Sequence, residues 1–207
     1  MSLALYFAQM STASITALVL EELGVPCERV DLDLRAGDTR KAEFLALNPN
    51  GKVPVLVHDG TAIWESAAIT LYLGETFGVE RNLYPPPGPK RGEAMRWVVW
   101  TNVTLGAAVA KWTGHALGWL PEEQRNAKYG DVAAEDIGKL LAILDDALEG
   151  RDYLLGDYTL VDTHLGSYLT GVQHLQFDFE PFPRVRNWLS RCSSRPASAR
   201  LLAKLRG

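Results

Sequence analysis

The sequence contains little cysteine and histidine, and neither residue type is patterned. Cys27 and Cys192 are the two cysteines of the 207-residue chain, and they match neither a zinc-ligand spacing nor a CxxC motif. We therefore expect two reduced, structural thiols of a cytoplasmic protein. The four histidines share no ligand spacing either, so the sequence predicts no metal site.

Strong charge and long apolar runs are also absent. A formal net charge of −4 offers no basic surface for nucleic acid or for an anionic membrane. No apolar run approaches the roughly 18 residues of a membrane-spanning helix. The N-terminus has neither the basic n-region nor the cleavage site of a secretory signal. These absences predict a soluble cytoplasmic protein, and the length allows one large domain or two small ones.

The N-terminal part of the chain begins with a strand, a helix and a second strand. Leu3 to Phe7 is a short apolar run of strand type, and after a polar break a helical pattern ends at Gly24. Val30, Leu32 and Leu34 then alternate with charged residues, which predicts a strand with one face in a core. A helix between two strands predicts a parallel βαβ unit.

Two more strands and two helices follow. Asp38 is predicted to cap a short helix that carries Phe44. Asp59-Gly60 predicts a hairpin turn between two short strands, and a further helix begins at Glu65-Ser66 and ends near Gly78. The order βαβ-α-ββ-α favours a thioredoxin-like sheet.

Four prolines within the five residues 85–89 divide the chain, because they read as a stiff linker. We predict a thioredoxin-like domain over 1–80, a Pro-rich linker over 81–90 and an all-α bundle over 91–207. In the bundle, a long helix is expected to end near His115 or Gly118, and Pro121 to open the next helix. Thr159 and Asp162 have the spacing of a capping box.

The segment from Asn48 to Asp59 carries a proline just inside the start of an apolar strand. Pro54 cannot donate to a strand ladder, so it belongs at an edge, a bulge or a first position. A cis Val53–Pro54 bond would turn the backbone of Val53 outward, where its N–H and C=O could pair with a peptide-like ligand. The alternative is an ordinary turn that enters an edge strand.

Hydroxyl side chains cluster where the first strand meets the first helix. Ser11, Thr12 and Ser14 occupy this junction, where helix backbone donors and the positive end of the helix dipole point outward. The cluster is suited to an anionic group, although hydroxyls here also serve as plain helix caps.

Taken together, four segments resemble the cytosolic glutathione S-transferases over essentially the whole chain. They are Asn48-Pro-Asn-Gly-Lys-Val-Pro-Val-Leu, Trp64-Glu-Ser-Ala-Ala-Ile-Thr-Leu-Tyr-Leu, the Pro-rich linker and Gly156-Asp-Tyr-Thr-Leu-Val-Asp162. The first two segments are similar to those of bacterial members rather than of the tyrosine-dependent mammalian classes. The resemblance implies a thioredoxin-like domain plus a helical bundle, and a homodimer that conjugates glutathione to small hydrophobic electrophiles in detoxification.

The resemblance also implies a glutathione site. Val53 would pair its backbone with the cysteinyl part of the ligand, held open by cis-Pro54. Glu65 would pair with the α-ammonium of the γ-glutamyl group, and Ser66 with its α-carboxylate at a helix N-terminus. Lys52, and less directly Lys41, would meet the glycyl carboxylate.

Catalysis in this family needs a donor that stabilises the glutathione thiolate. A free thiol has a pKa of about 8.5, and a hydrogen bond to its charged form lowers the pKa. Ser11 is our candidate, with Thr12 second and Ser14 third, because the loop departs from the patterns common in the family. Tyr6 is expected to be a packing residue, and Cys27 lies outside the loop, which argues against a cysteine-type mechanism.

The second substrate is expected in an apolar pocket between the domains. Candidates by position are Met10, Trp97, Thr101, Lys111, Trp112, His115 and Trp119. Asn102 occupies the place of an interface-helix asparagine of bacterial members. Two alternatives to a transferase stay open: a glutathione- or protein-binding module without turnover, and a glutathione-dependent isomerase or reductase.

Overall fold

Residues 2–206 are described by a computed structural model in which a mixed αβ unit is followed by helices alone. The strands are β1 (Leu3–Phe7), β2 (Glu28–Asp31), β3 (Val55–His58) and β4 (Thr61–Trp64). The helices are α1 (Ala13–Leu23), α2 (Ala42–Leu47), α3 (Ser66–Leu73), α4 (Pro89–Trp100), α5 (Gly106–His115), α6 (Ala127–Ala147), α7 (Leu160–His174), α8 (Pro183–Ser193) and α9 (Pro196–Arg206).

The four strands form one mixed sheet in the order β2-β1-β3-β4. β2 runs parallel to β1, as a strand joined through a crossover helix must, whereas β3 is antiparallel to both β1 and β4. The register places Tyr6 opposite Val55, and Val55 opposite Trp64. The thioredoxin-like sheet and the all-α second half predicted from the sequence are confirmed.

The second strand is shorter than its sequence pattern predicts. The alternation through Leu34 is wrong as a strand signal, because β2 ends at Asp31 and Leu34 is 47% exposed. The carboxylate of Asp33 accepts hydrogen bonds from the N–H groups of Arg35 and Ala36. This local turn replaces the strand ladder.

Two helix starts also differ from the prediction. Asp38 does not cap α2; it opens a separate 3₁₀ turn, and its carboxylate accepts from the N–H of Asp33. Pro121 precedes only the 3₁₀ turn Glu122–Gln124. The long helix α6 begins later, after Asn126, whose side chain accepts from the N–H of Tyr129. In both places a 3₁₀ turn intervenes before the helix.

The long helix predicted after the linker is present, with one irregular turn inside it. α4 and α5 are joined without a break by a π-turn over Thr101–Leu105. Between Arg81 and Pro89 the chain has neither helix nor strand. The capping box of α7 is formed as predicted: the Thr159 hydroxyl accepts from the N–H of Val161, and the Asp162 carboxylate accepts from the N–H of Thr159.

Two apolar cores lie on either side of the linker, and they share contacts. The first core is built on β1, α1 and α3, but Leu160 from the start of α7 and Leu201 from α9 belong to it. Tyr84 of the linker packs over Gly74 so closely that a Cβ there would lie 2.7 Å from the tyrosine ring. A larger side chain at Gly74 would therefore displace the linker.

Within residues 2–206 no helix is long and apolar enough to cross a membrane. In the same part of the chain, no three histidine, cysteine, aspartate or glutamate side chains lie close enough together to hold a metal ion.

Candidate functional site

The sheet register brings three loops to one end of the sheet. β1 ends beside the start of β3, because Tyr6 pairs with Val55, and β4 ends there too, because Trp64 pairs with Val55. The loop after β1 leads to Ser11, and the residue pair Val53–Pro54 precedes β3. Ser66 begins α3 directly after β4. Three of the predicted binding segments thus converge at this edge.

Ser11 holds the start of α1 and is half-buried. Its Oγ accepts a hydrogen bond from the N–H of Ala13 at 3.1 Å and donates to the carbonyl of Ala8 at 2.7 Å. Thr12 is exposed, and its side chain makes no capping bond to α1. Of the two, only Ser11 therefore has a hydroxyl fixed by the protein at the positive end of the helix.

The Val53–Pro54 peptide bond is cis, as the family resemblance implies. Lys52 is anchored through its carbonyl, which accepts from Nδ2 of Asn48 at 2.7 Å. Among the described residues, neither the N–H nor the C=O of Val53 has a hydrogen-bond partner. A half-buried backbone pair of this kind is what an extended peptide would satisfy.

The turn into α3 presents a carboxylate and a hydroxyl. Glu65 is exposed, adopts φ = 71° and forms no ion pair with any described residue. Ser66 is 3% exposed, and its Oγ accepts a hydrogen bond from Nδ2 of Asn102 at 2.8 Å. The first N–H groups of α3 lack intrahelical partners, as at every helix start. The site therefore combines a cation-binding carboxylate with an anion-binding helix end.

The two predicted lysines differ in their surroundings. Lys41 lies 2.7 Å from the carboxylate of Asp38, which raises the pKa of the ammonium and lowers that of the carboxyl through their hydrogen bond. Lys52 is exposed, and its ammonium makes no ion pair with a described residue. Of the two, Lys52 has its charge available for a ligand.

A buried polar chain that the sequence analysis missed stands behind Ser66. Asn102 Oδ1 lies 2.7 Å from Nε2 of His164, and Nδ1 of His164 lies 2.8 Å from Oγ1 of Thr70. His164 and Thr70 are fully buried. The signal in the sequence was a histidine on the apolar face of α7, two residues after the capping Asp162.

Most of the residues predicted for the second-substrate pocket pack within the helical second half of the molecule. Trp97 and Trp112 are 6% and 8% exposed in the second core, and Thr101 is fully buried with its hydroxyl bonded to the carbonyl of Trp97. His115 is half-buried, and its Nδ1 accepts from the N–H of Asn126. As placed, these four side chains hold helices together, and their contribution to a second-substrate pocket stays a prediction. Helical spacing cannot distinguish a core face from a cleft face.

Met10 is the pocket candidate that remains beside the three loops. It is 99% exposed and adopts φ = 57° in the loop before Ser11. Lys111 and Trp119 are exposed further along the chain. Tyr6 packs edge-on against Phe44, with ring centroids 5.9 Å apart, which is the packing role expected of it.

Two cavities lie away from this edge. A groove of about 700 Å³ runs between α1, β2 and α9, and a smaller cavity of about 240 Å³ between α4 and α6 is lined by Trp97. Neither is lined by Ser11, Val53 or Ser66. Cys27 lies on the first groove, and burial raises the pKa of its thiol to about 11, so it is a poor nucleophile.

Comparisons with known proteins identify the family of the chain. Residues 1–75 match the family model of the glutathione S-transferase N-terminal domain, and residues 111–196 match that of the C-terminal domain. Glutathione S-transferase GstB of Escherichia coli is 32% identical over 185 residues, which is 87% of each chain. Glutathione S-transferase D7 of Drosophila melanogaster is 32% identical over 192 residues, 91% of this chain and 83% of that one.

Two solved structures are similar along nearly the whole chain. A glutathione transferase from Phanerochaete chrysosporium with oxidized glutathione superposes with a TM-score of 0.88 and 26% identity, covering 99% of this chain and 95% of that one. One from Burkholderia graminis, with two glutathione molecules per subunit, gives 0.84 and 27%, covering 97% and 87%. The chain therefore belongs to the glutathione S-transferase family.

Proposed function

We propose that this protein is a glutathione transferase that conjugates the thiolate of bound glutathione to a small hydrophobic electrophile. The observation that carries the proposal is the meeting of Ser11, Val53 and Ser66 at one end of the sheet, as the register requires. The E. coli and Drosophila relatives bear the name glutathione S-transferase, and the Burkholderia structure contains glutathione.

In the proposed complex the tripeptide lies extended along this edge. Its cysteinyl backbone pairs with the unpartnered N–H and C=O of Val53. Glu65 pairs with the α-ammonium, while Ser66 and the N–H groups of α3 receive the α-carboxylate. Lys52 pairs with the glycyl carboxylate. Lys41 contributes less, because Asp38 already neutralises its charge.

Chemistry begins when the ligand thiol releases its proton to solvent water. Ser11 then turns its O–H from the carbonyl of Ala8 toward the sulfur, and the positive end of α1 adds to the stabilisation of the thiolate. With an aryl halide, the sulfur forms a bond to the ring carbon and the halide departs with the bonding electron pair; with an epoxide, the C–O bond breaks and the oxygen takes up a proton from solvent. Met10, beside the sulfur position, is proposed to contact the electrophile.

A second candidate is a glutathione-binding module without turnover. It is favoured by the hydrogen bond of 2.7 Å in which Ser11 donates its proton to Ala8, since a hydroxyl retained there cannot reach a ligand sulfur. Such a module would bind immobilised glutathione but conjugate none of a panel of aryl halides, epoxides and isothiocyanates. Conjugation of any of these compounds would exclude it. A reductase is less favoured, because the loop after β1 holds no cysteine.

Replacing Glu65 by glutamine is expected to weaken glutathione binding roughly 10–100-fold, the range for losing a hydrogen bond to a charged group. Glu65 is exposed and unpaired in the described chain, so the change should leave the fold intact. Isothermal titration calorimetry with glutathione measures the dissociation constant directly.

The matched control for Glu65→Gln is Glu43→Gln, which removes the same charge from an exposed position on α2. Deaminated glutathione should bind wild type and Glu65→Gln equally, because it has no ammonium to pair. If Glu65→Gln bound intact glutathione as tightly as the wild type, the assignment of the γ-glutamyl end would be wrong.

We also propose a homodimer formed through the surface beside Ser66. Val99 and Val103 lie one helical turn apart and are 45% and 65% exposed, and Trp64, next to Glu65, is 39% exposed. Asn102 joins this turn to Ser66, so the three apolar side chains belong to one region, and apolar patches of this kind mark interfaces.

Val103→Glu should convert a dimer to a monomer in sedimentation velocity, because it places a charge at the centre of the apolar region. Ile143→Glu is the matched control, since Ile143 is 52% exposed on α6. A wild-type protein that sediments as a monomer at all concentrations would exclude the dimer.

A further inference from the structure

Ser66 is the end of a chain of polar side chains that crosses between the two halves of the molecule. Asn102 Nδ2 donates to Ser66 Oγ at 2.8 Å, and Asn102 Oδ1 lies 2.7 Å from His164 Nε2. His164 Nδ1 in turn lies 2.8 Å from Thr70 Oγ1. Two members, Ser66 and Thr70, belong to α3, whereas Asn102 and His164 come from the helical second half.

As the Asn102 amide is oriented in the structure, with Nδ2 toward Ser66 and Oδ1 toward His164, the donors and acceptors of this chain run in one direction. The oxygen of the Asn102 amide can only accept, so His164 must donate from Nε2. Burial lowers the pKa of His164 to about 3, so the ring is neutral and its Nδ1 must accept from the hydroxyl of Thr70. The ring and Thr70 are fully buried, so water cannot replace Asn102 or Thr70 as a hydrogen-bond partner of the ring.

This direction determines what Ser66 can do. Because Asn102 donates to its Oγ, the serine's own proton remains for another acceptor. If the asparagine amide were reversed, Ser66 would have to donate to Oδ1, and it would present only lone pairs to a ligand. A carboxylate needs a donor, so the two arrangements have opposite effects on anion binding.

We propose that Asn102 and His164 are positioning residues that fix the Ser66 hydroxyl as a donor to the α-carboxylate of the γ-glutamyl group. This inference rests on the proposed function and names the part of the ligand that these polar side chains recognise. The Thr70 hydroxyl lies on the far side of the imidazole and can donate to Nδ1, which is compatible with the tautomer that Asn102 Oδ1 requires. Thiols that lack this carboxylate gain no binding affinity from the chain of polar side chains.

Asn102→Asp tests this because the carboxylate has the same shape but only accepts, so Ser66 must donate to it. We expect the dissociation constant for glutathione to rise roughly 10–100-fold. The analogue γ-aminobutyryl-Cys-Gly keeps the amine and lacks the α-carboxylate. The Asn102→Asp variant and the wild type should bind this analogue with equal dissociation constants. Asn102→Ala, which removes the donor without adding charge, should weaken glutathione binding in the same selective way.

The control is Asn126→Asp, the same change at the N-cap of α6, where both residues cap well. Thermal unfolding of each variant monitors the fold. Equal losses for both ligands, or no loss for either, would overturn the positioning role and leave the proposed function standing. A wild-type protein that binds neither ligand would overturn the proposed function itself.

Discussion

Replacing Ser11 by alanine is expected to remove the ultraviolet thiolate absorbance of glutathione bound at neutral pH and to lower kcat/KM by roughly 10²–10³-fold. That factor is the typical cost of deleting one donor that faces a developing or stabilised anion. Without the hydroxyl, the thiol returns toward its ordinary pKa of about 8.5, so little thiolate is present at pH 7. The dissociation constant for glutathione should change much less, because the rest of the ligand binds elsewhere.

The difference spectrum of the bound ligand and its pH titration measure this effect. Ser11 also accepts from the N–H of Ala13, so loss of this cap is expected to cost about 1 kcal/mol of stability. Ser11→Thr keeps the hydroxyl and should retain most of the thiolate signal. The assignment fails if Ser11→Ala keeps the absorbance while Thr12→Ala or Ser14→Ala abolishes it.

Replacing Asp162 by alanine is expected to lower the free energy of unfolding by about 3–5 kcal/mol, because several buried donors lose their acceptor at once. The carboxylate accepts from the N–H groups of Leu154 and Thr159 and from Nε1 of Trp188, at 2.9 to 3.0 Å. Asp162 itself is fully buried. Leu154 and Trp188 are buried as well, so in the intact protein bulk water does not reach these donors.

Urea unfolding followed by tryptophan fluorescence gives the magnitude. Asp136→Ala is the control: it removes an exposed carboxylate paired with Lys139, and such pairs contribute less than about 1 kcal/mol. A loss below about 1 kcal/mol for Asp162→Ala would show that the hydrogen bonds accepted by Asp162 are not what stabilises the start of α7.

Local signals in the sequence predicted the elements that depend on neighbouring residues. The capping box of Thr159 and Asp162 and the hairpin at Asp59-Gly60 are each determined within a few residues. Their physics is short-range, because a cap or a turn uses side chains beside the backbone that it satisfies. The resemblance of these segments to a known family then supplied their arrangement in space.

What could not be predicted depends on packing between distant segments. Trp97 and Trp112 have the same helical spacing whether they face a cleft or a core, and their burial depends on segments distant in sequence, such as Phe177 after α7, which packs edge-on against Trp112. The partners of His164 come from two other helices. A single histidine in an apolar stripe indicates a polar contact but does not say with which residue.

The predicted length of the edge strand β2 was wrong for a related reason. Apolar and charged residues do alternate through Leu34. The strand nevertheless ends before Asp33, because the carboxylate of Asp33 accepts hydrogen bonds from the N–H groups of Arg35 and Ala36. Local side-chain bonds of this kind compete with a ladder most effectively at an edge, where half of the ladder is missing.

The sharing of Leu160 and Leu201 with the first core means that the sequence boundary at the prolines is not a boundary in folding. The N-terminal half cannot complete its interior until the chain has been synthesised almost to its end. Ribosome-bound intermediates would therefore expose part of the glutathione-binding half, and the two halves should melt in a single transition.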